Sequence, residues 1–337
     1  LFLTLDGTRL AGLKGAVEYL VDYPYSCMEQ RVSRMLPYIL FGDYMVATGM
    51  VQDTEAVTQT IEEELAFWAD TQNSDGGFPT WPENPVRSSY YVSLRVAHCL
   101  YYAEREGIFI PENLDMDGLL DYLKPSEQWV RNSDYLMLYG SYVRSLLGEN
   151  LYYEANRYFD KGDGLGISGY GYLGLMFSSY DDPEMAEACL KRIGQFIRPG
   201  AQTVDLTETA EAQSYFYDSQ IEQLSLTLML YSEVAPDDMM AERVLNTLIN
   251  RQKGGYWHNT ADSNWVVQAL YAKTKAEGHS HTDFKAQVEL ASKPIITAEF
   301  SGEAANTKTF QLDFRQPPLK GLPREQLLPL RFRKEGQ

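Results

Sequence analysis

The sequence predicts a mainly α-helical fold, an α/α toroid of about six helical hairpins with β strands at both ends. Helical segments follow one another over about the first 285 residues. Breaks with paired glycines recur at the same point of a hairpin, at Gln72–Phe78 and at Gln252–Trp257. The second helix of a pair is the more apolar, as at 90–101, 221–230 and 265–270, and an inner helix of a closed ring needs that property.

Hydrophobic periodicity predicts the individual helices, at residues 11–22, 27–47, 54–71, 88–106, 116–123, 134–147, 152–159, 170–177, 182–196, 214–234, 238–252 and 262–275. Alternating or β-branched segments predict the strands, at residues 1–5, 288–291, 295–300 and 309–314. A strand at each end of a helical region indicates that the toroid is inserted into a β domain. We therefore expect a β strand in residues 1–9, the toroid in residues 10–282 and a β segment in residues 283–337.

Composition excludes several classes of partner. The chain carries 47 acidic against 29 basic residues and a net charge of −18, which argues against nucleic acid and anionic membranes as partners. No apolar run approaches the length that spans a bilayer. The sequence opens on Leu1 without a Met, a basic n-region or a cleavage site, so we expect a fragment or a processed product.

The three cysteines give no sign of a redox or metal centre. Their number is odd and no CxxC pair is present, so no metal and no cofactor are predicted. Cys99 and Cys189 lie in apolar helical runs and are predicted to be inert core thiols. His98 is likewise predicted to lie in the core, and the isolated pair His279 and His281 is a weak metal-site signal.

The segment around Cys27 has a pattern that supports acyl chemistry. Ser26 and Glu29 fit a capping box, which predicts a helix beginning at Cys27. The positive end of the helix dipole then favours a thiolate, and Gln30 lies on the same face of the first turn. Attack of the thiolate on the Gln30 carboxamide would expel ammonia and leave a thioester. Taken alone, the four residues are better explained as a buried cysteine beside an ordinary capping box.

A wider match changes that balance. The residues Tyr23, Pro24, Cys27, Glu29 and Gln30 resemble the thioester region of the α2-macroglobulin and complement superfamily, most closely its bacterial members. Ser26 stands where glycine is usual. The resemblance continues through residues 75–81 and covers roughly residues 10–280. It implies an α/α toroid thioester domain inserted into a split β-sandwich (CUB-like) domain.

The resemblance also implies a function. Such proteins are single-use protease inhibitors and not enzymes: a protease cleaves a bait region, which this chain lacks, and the exposed thioester captures the attacker covalently. Gln30 would supply the acyl carbon and Cys27 the leaving thiolate. The implied partners are target proteases and other domains of the parent chain. The implied location is the periplasm or cell envelope, with any lipid anchor outside this chain, or else secretion.

The residues expected around the thioester follow from the toroid. Trp81, Tyr135, Tyr139 and His258 are predicted at or near the rim where inner helices begin, as candidates to shield the thioester. Some complement proteins carry a histidine at the start of the third inner helix, but residues 131–136 contain none. The resemblance therefore favours direct attack by amines such as protease lysines.

Three other functions are considered for a toroid of this kind. The first is an enzyme like the prenyltransferases or terpene cyclases, which share α/α barrels, but the zinc triad of the former and the Asp-rich acid motif of the latter are missing. The acid pairs 181–182 and 237–238 stand at helix starts, where acids cap helices. A carbohydrate-active toroid with paired carboxylates stays open, as does a structural domain whose thioester never forms.

Overall fold

The computed structural model describes residues 2–6, 13–124, 134–162, 165–207, 218–277, 284–300, 307–313, 315–321 and 327–336. Helices dominate this part of the chain. They are α1 Leu13–Val21, α2 Met28–Ala47, α3 Thr54–Thr71, α4 Tyr90–Arg105, α5 Met116–Leu123, α6 Asp134–Leu146, α7 Tyr152–Lys161, α8 Gly166–Ser179, α9 Pro183–Ile193, α10 Gln220–Val234, α11 Met239–Asn250 and α12 Thr260–Glu277.

The helices form a closed double ring. Along the inner ring, α2, α4, α6, α8, α10 and α12 each contact the next, and α12 contacts α2 to close it. The inner helix α8 is buried on all sides from Ile167 to Phe177. The outer helix α11 buries one face only, as expected of a surface helix. The predicted mainly α toroid is confirmed.

The ring closes through a tight seam between α1 and the turn that precedes α12. An ideal Cβ on Gly15 would lie 2.5 Å from the carbonyl oxygen of Gly255, so only glycine allows this approach. Gly255 itself has φ +95°, which favours glycine as well. Beside this contact the ring of Tyr19 stacks on that of Tyr256, with centroids 3.9 Å apart.

The recurring glycine-rich breaks share a glutamine brace. The Gln72 amide donates to the carbonyl of Gly76 and its oxygen accepts from the Asp115 backbone N–H, both at 2.8 Å. The Gln252 amide donates to the carbonyl of Gly255 at 2.6 Å. The repeat seen in the sequence is therefore one turn design used twice.

The two ends of the chain meet in a β unit. Strand β1, Phe2–Asp6, pairs antiparallel with β6, Thr307–Gln311. Strand β4, Phe284–Leu290, lies between β5, Lys293–Phe300, and β7, Leu330–Gly336. This unit has a hydrophobic core that is separate from the core of the toroid. Its buried side chains are Val288, Leu290, Ile295, Ile296 and Leu319, and the partly buried Leu5, Phe310, Leu312 and Leu328 pack against them. Pairing of β1 with β6 fits an inserted toroid, although the predicted domain boundaries stay a prediction.

Several predicted elements differ from the structure. Strand β7 was missed because its sequence is mostly charged and its whole length is exposed. A hairpin of β2, Ile197–Pro199, and β3, Val204–Leu206, was also missed, since three-residue strands give little periodic signal. Helix α9 ends at Ile193 in a short 3₁₀ turn. Residues 214–217 of one predicted helix lie outside the described residues. Within the described part, no helix combines the length and apolarity needed to cross a bilayer.

Candidate functional site

Cys27 and Gln30 form the first turn of α2 together. Cys27 is the N-cap, with extended φ −62° and ψ 160°, and the helix begins at Met28. The Gln30 backbone N–H donates to the Cys27 side chain, and the Cys27 backbone N–H donates to Gln30 Oε1 at 3.0 Å. The capping box therefore joins Cys27 to Gln30, and the predicted box of Ser26 and Glu29 is wrong. The helix phase is set by burial of Met28, which is fully enclosed.

This reciprocal pairing places the two side chains next to each other. The carboxamide of Gln30 is folded back over Cys27, and its carbon lies one bond from the oxygen that the Cys27 N–H contacts. A hydrogen bond to that oxygen polarises the carbonyl and stabilises the negative charge that develops when a nucleophile adds. The thiol of the N-cap residue is the neighbouring nucleophile.

Cys27 is kept as a thiol by its surroundings. The residue is 9% exposed, and burial raises the pKa of its thiol. The carboxylates of Glu29 and Glu83 raise the pKa further, while the backbone N–H groups of Gln30 and Glu29 lower it. The donors at the helix N-terminus lower the pKa of the thiol, as expected, but desolvation outweighs them and the net shift is upward.

Glu29, freed from the capping role, has two other partners. Its Oε1 accepts from Ser33 Oγ at 2.7 Å, one helical turn on. Its Oε2 accepts from Thr260 Oγ1 at 2.9 Å. Thr260 is the first residue of α12, so the turn that contains Cys27 and Gln30 is tied directly to the last inner helix. Sequence reasoning missed Thr260, a common residue type 231 positions away with no motif around it.

A loop between α3 and α4 covers one side of the turn. The carbonyl of Thr80 accepts from the Met28 backbone N–H at 3.0 Å. The next residue, Trp81, is 55% exposed. Trp81 therefore lies in a loop that is hydrogen-bonded to the turn of Cys27 and Gln30, and its shielding role stays a prediction.

Aromatic rings cluster along the segment that leads into the turn. The ring of Tyr23 meets Tyr19 edge to face at 5.4 Å and Tyr25 at 5.9 Å. Burial raises the pKa of Tyr19 to about 12, so this hydroxyl stays neutral. Pro24 is exposed and Ser26 is half-buried. Tyr19, which also stacks on Tyr256, was not predicted.

His258 lies on the same rim, in the turn before α12. Its side chain is 84% exposed, and Nδ1 lies 3.7 Å from the Oδ2 atom of buried Asp262. Thr260, two residues on, is the partner of Glu29. The histidine is therefore near the first helical hairpin through ring closure, as the toroid predicted.

The two predicted tyrosines of α6 point into the toroid. The Tyr135 hydroxyl donates to Glu222 at 2.8 Å. Tyr139 is fully buried and stacks on Tyr172 at 5.3 Å. Placement of Tyr139 on the rim is therefore wrong, because it lies one turn deeper in an aromatic core. Residues 131–133, where a complement-type histidine would stand, lie outside the described residues.

The remaining cysteines and His98 are core residues, as predicted. Cys99, Cys189 and His98 are all buried, and no cysteine is in a disulfide. Burial raises the pKa of Cys189 to about 12 and, together with Arg95, lowers that of His98 to about 3. No group of three or more metal-binding side chains is found within the described residues. His279 and His281 fall outside them.

The acids considered for the enzyme alternatives have structural roles. Asp182 and Asp238 cap α9 and α11 through their carboxylates, as acids at helix starts commonly do. Glu222 is 1% exposed and accepts from the hydroxyls of Tyr135 and Tyr172. A carboxyl group enclosed in this way is not accessible from solvent.

No protein-family model matches the chain. The alpha-2-macroglobulin of Thermotoga maritima is 23% identical over 258 residues, which are 77% of this chain and 14% of that protein. An alpha-2-macroglobulin homolog of Yersinia pestis is 28% identical over 111 residues, 33% of this chain and 5% of that protein. The chain thus spans only a small part of the curated relatives that it matches.

Solved structures show the same fold. Native Escherichia coli alpha-2-macroglobulin, from domain MG7 to the C-terminus, matches with a TM-score of 0.65 at 20% identity, covering 92% of this chain and 48% of that chain. Salmonella alpha-2-macroglobulin reacted with methylamine gives 0.67 at 19% identity, covering 92% and 20%. Escherichia coli alpha-2-macroglobulin activated by porcine elastase gives 0.59 at 17% identity, covering 92% and 27%.

Fold and turn together define a class: a helical toroid that carries a Cys-x-x-Gln turn at its rim and joins a small β unit. Sequence and fold are similar to those of the bacterial alpha-2-macroglobulins, and the resemblance predicted from the motifs is confirmed. The chain is similar to a part of those proteins that lies within the segment from domain MG7 to the C-terminus.

Proposed function

We propose that this chain is the reactive region of a protease trap, in which Cys27 and Gln30 form an internal thioester that acylates the attacking protease. The observation that carries the proposal is the reciprocal capping of Cys27 and Gln30. Since the two side chains are paired across one helical turn, ring closure is intramolecular and has a high effective concentration.

The chemistry follows from the groups present. In ring formation the Cys27 sulfur bonds to the Gln30 carboxamide carbon, and ammonia leaves with the thiol proton. In capture an amine of the protease, favoured as a lysine side chain, adds to the same carbon. The Cys27 sulfur then leaves and takes a proton, which gives a stable amide. Each molecule reacts once, so the chain acts as an inhibitor and not as an enzyme, and the reaction uses no cofactor.

The surroundings of the turn support storage of such a group. Burial of Cys27 restricts water, and the raised pKa of its thiol makes it a poorer leaving group while it remains enclosed. Exposure of the turn would remove both effects. Related proteins reacted with methylamine or activated by elastase are consistent with amine nucleophiles and protease partners. The proposed cell-envelope location rests on the resemblance alone.

The capture step can be tested on this chain. We expect the chain, incubated with an active protease, to form adducts that survive denaturing electrophoresis. Cys27→Ala should abolish them, while the matched control Cys189→Ala, which removes a core thiol, should not. A protease whose lysines have been dimethylated should form none, because tertiary amines cannot be acylated to stable amides. Adducts formed undiminished by Cys27→Ala would contradict the proposal.

A further inference from the structure

The Glu29 side chain does not contact the two residues on either side of it in the motif, Cys27 and Gln30, through any hydrogen bond described above. It lies between the two reacting residues in the chain, yet its carboxylate points away from them toward α12. Both oxygens are used, one by Ser33 Oγ at 2.7 Å and the other by Thr260 Oγ1 at 2.9 Å. The second bond crosses the seam that closes the toroid.

We propose that Glu29 is a positioning residue, which with Thr260 fastens the thioester-forming turn to the last inner helix so that Cys27 and Gln30 are held in reacting geometry. The inference rests on the proposed function and adds a role for Thr260 at the site. We call this one hydrogen bond the Glu29–Thr260 clasp.

Electrostatics favour the clasp at this point. Glu29 is the second residue of α2 and Thr260 the first of α12, so the carboxylate lies at two helix N-termini, whose dipoles attract negative charge. Hydrogen bonds to a charged acceptor are stronger than those between neutral groups. The clasp is therefore suited to fix one helix start against another.

The Thr260 hydroxyl does not cap α12, although threonine often caps a helix at its N-terminus. The cap of α12 comes from the preceding residue, whose Asn259 Oδ1 accepts from the Asp262 backbone N–H at 2.8 Å. Removal of the hydroxyl at Thr260 therefore leaves the helix cap in place. What it removes is the bond to Glu29.

Ring closure depends on the backbone that Glu29 belongs to. When the Cys27 sulfur bonds to the Gln30 carbon and ammonia departs, residues 27–30 become a closed ring. A displacement of about 1 Å between reacting groups can slow an intramolecular step on the order of a hundredfold. The clasp restrains the backbone inside that ring, so we expect its loss to slow closure.

The test compares three threonine variants during thioester formation. Each chain is made by cell-free synthesis, and the fraction of molecules that has lost ammonia, hydrolysed ones included, is followed by intact mass. We expect Thr260→Val to close about tenfold more slowly, the size of effect given by loss of a hydrogen bond to a charged group. Thr260→Ser keeps the donor and should close at the wild-type rate. Thr274→Val, which loses only a bond to Leu270 within α12, is the matched control.

A second variant guards against misfolding of the first. Glu29→Asp keeps the charge at a half-buried position but shortens the reach by one methylene, and it should also slow closure. Closure at the wild-type rate in both Thr260→Val and Glu29→Asp would overturn the clasp, as would equal slowing in Thr274→Val. A wild-type chain that never loses ammonia would overturn the proposed function itself, and the clasp with it.

Discussion

Replacement of Gly15 by alanine tests whether the toroid closes as described. Gly15 lies within α1, where alanine is normally the better residue by about 1 kcal/mol. Here the added Cβ would meet backbone atoms of Gly255, the oxygen at 2.5 Å and the Cα at 2.8 Å. Ordinary contact begins near 3.4 Å, so α1 and the turn before α12 must separate by roughly 0.9 Å.

The expected cost follows from the nature of the clashing atoms. Backbone cannot rotate away as a side chain can, and overpacking of this kind costs roughly 1–3 kcal/mol. After the gain in helix propensity is subtracted, we expect Gly15→Ala to lower the free energy of unfolding by up to about 2 kcal/mol.

Urea unfolding followed by far-ultraviolet circular dichroism measures the effect, with Gly194→Ala as the matched control. Gly194 is the C-cap of α9, with φ −55° and ψ −22°, and a Cβ added there would have no neighbouring atom within 4 Å. That variant should be neutral or slightly stabilised. If Gly15→Ala unfolds at a urea concentration equal to or above that of Gly194→Ala, the close approach of α1 to the α12 turn is incorrect.

Three further predictions concern other parts of the molecule. Burial and the Asp218 carboxylate raise the pKa of Glu222 from 4.5 to about 8, so the folded chain holds this proton more tightly than the unfolded one; stability should fall as pH rises from 4.5 to about 8. Glu222→Gln should flatten that part of the profile in urea titrations at several pH values, and an unchanged profile would refute the assignment. Glu64→Gln should lower the free energy of unfolding in urea by about 2–3 kcal/mol. The carboxylate of Glu64 accepts two hydrogen bonds from Arg31, at 2.7 and 2.9 Å, and one from Trp68 in a mostly buried site, and the substitution weakens them. A loss below about 0.5 kcal/mol would contradict this prediction. Tyr256→Ala should speed reaction with methylamine, measured by thiol release, because it removes the stacking partner of Tyr19; Tyr256→Phe should not, and equal rates in all three chains would show that this stack does not protect the site.

The helical architecture was open to prediction because it repeats. Periodicity located each of the twelve helices of the described residues, and the apolar character of α4, α10 and α12 identified them as inner helices. The predicted boundaries differ from the observed ones where glycine interrupts the pattern. Helix α8, for example, begins at Gly166 and not at residue 170. The exposed, charged strand β7 carries no buried face and hence no pattern to detect.

The candidate site was predictable in its residue types but not in its contacts. Two overlapping capping patterns, Ser26 with Glu29 and Cys27 with Gln30, stand one residue apart, and local propensity favours the first. Burial of Met28 fixes the helix phase and selects the second. Partners such as Thr260 join the site only through ring closure, which local sequence does not encode. Tyr139 was misplaced because helical spacing does not tell how deep a residue lies.

The most direct test of the thioester is the intact mass of the native chain. The wild-type protein should weigh one ammonia less than its sequence, and methylamine should restore that mass plus one methylene while releasing a single thiol at Cys27. Peptide mapping should place the methylamide on Gln30. A native mass equal to the sequence mass, with three thiols titratable in denaturant, would contradict the thioester between Cys27 and Gln30.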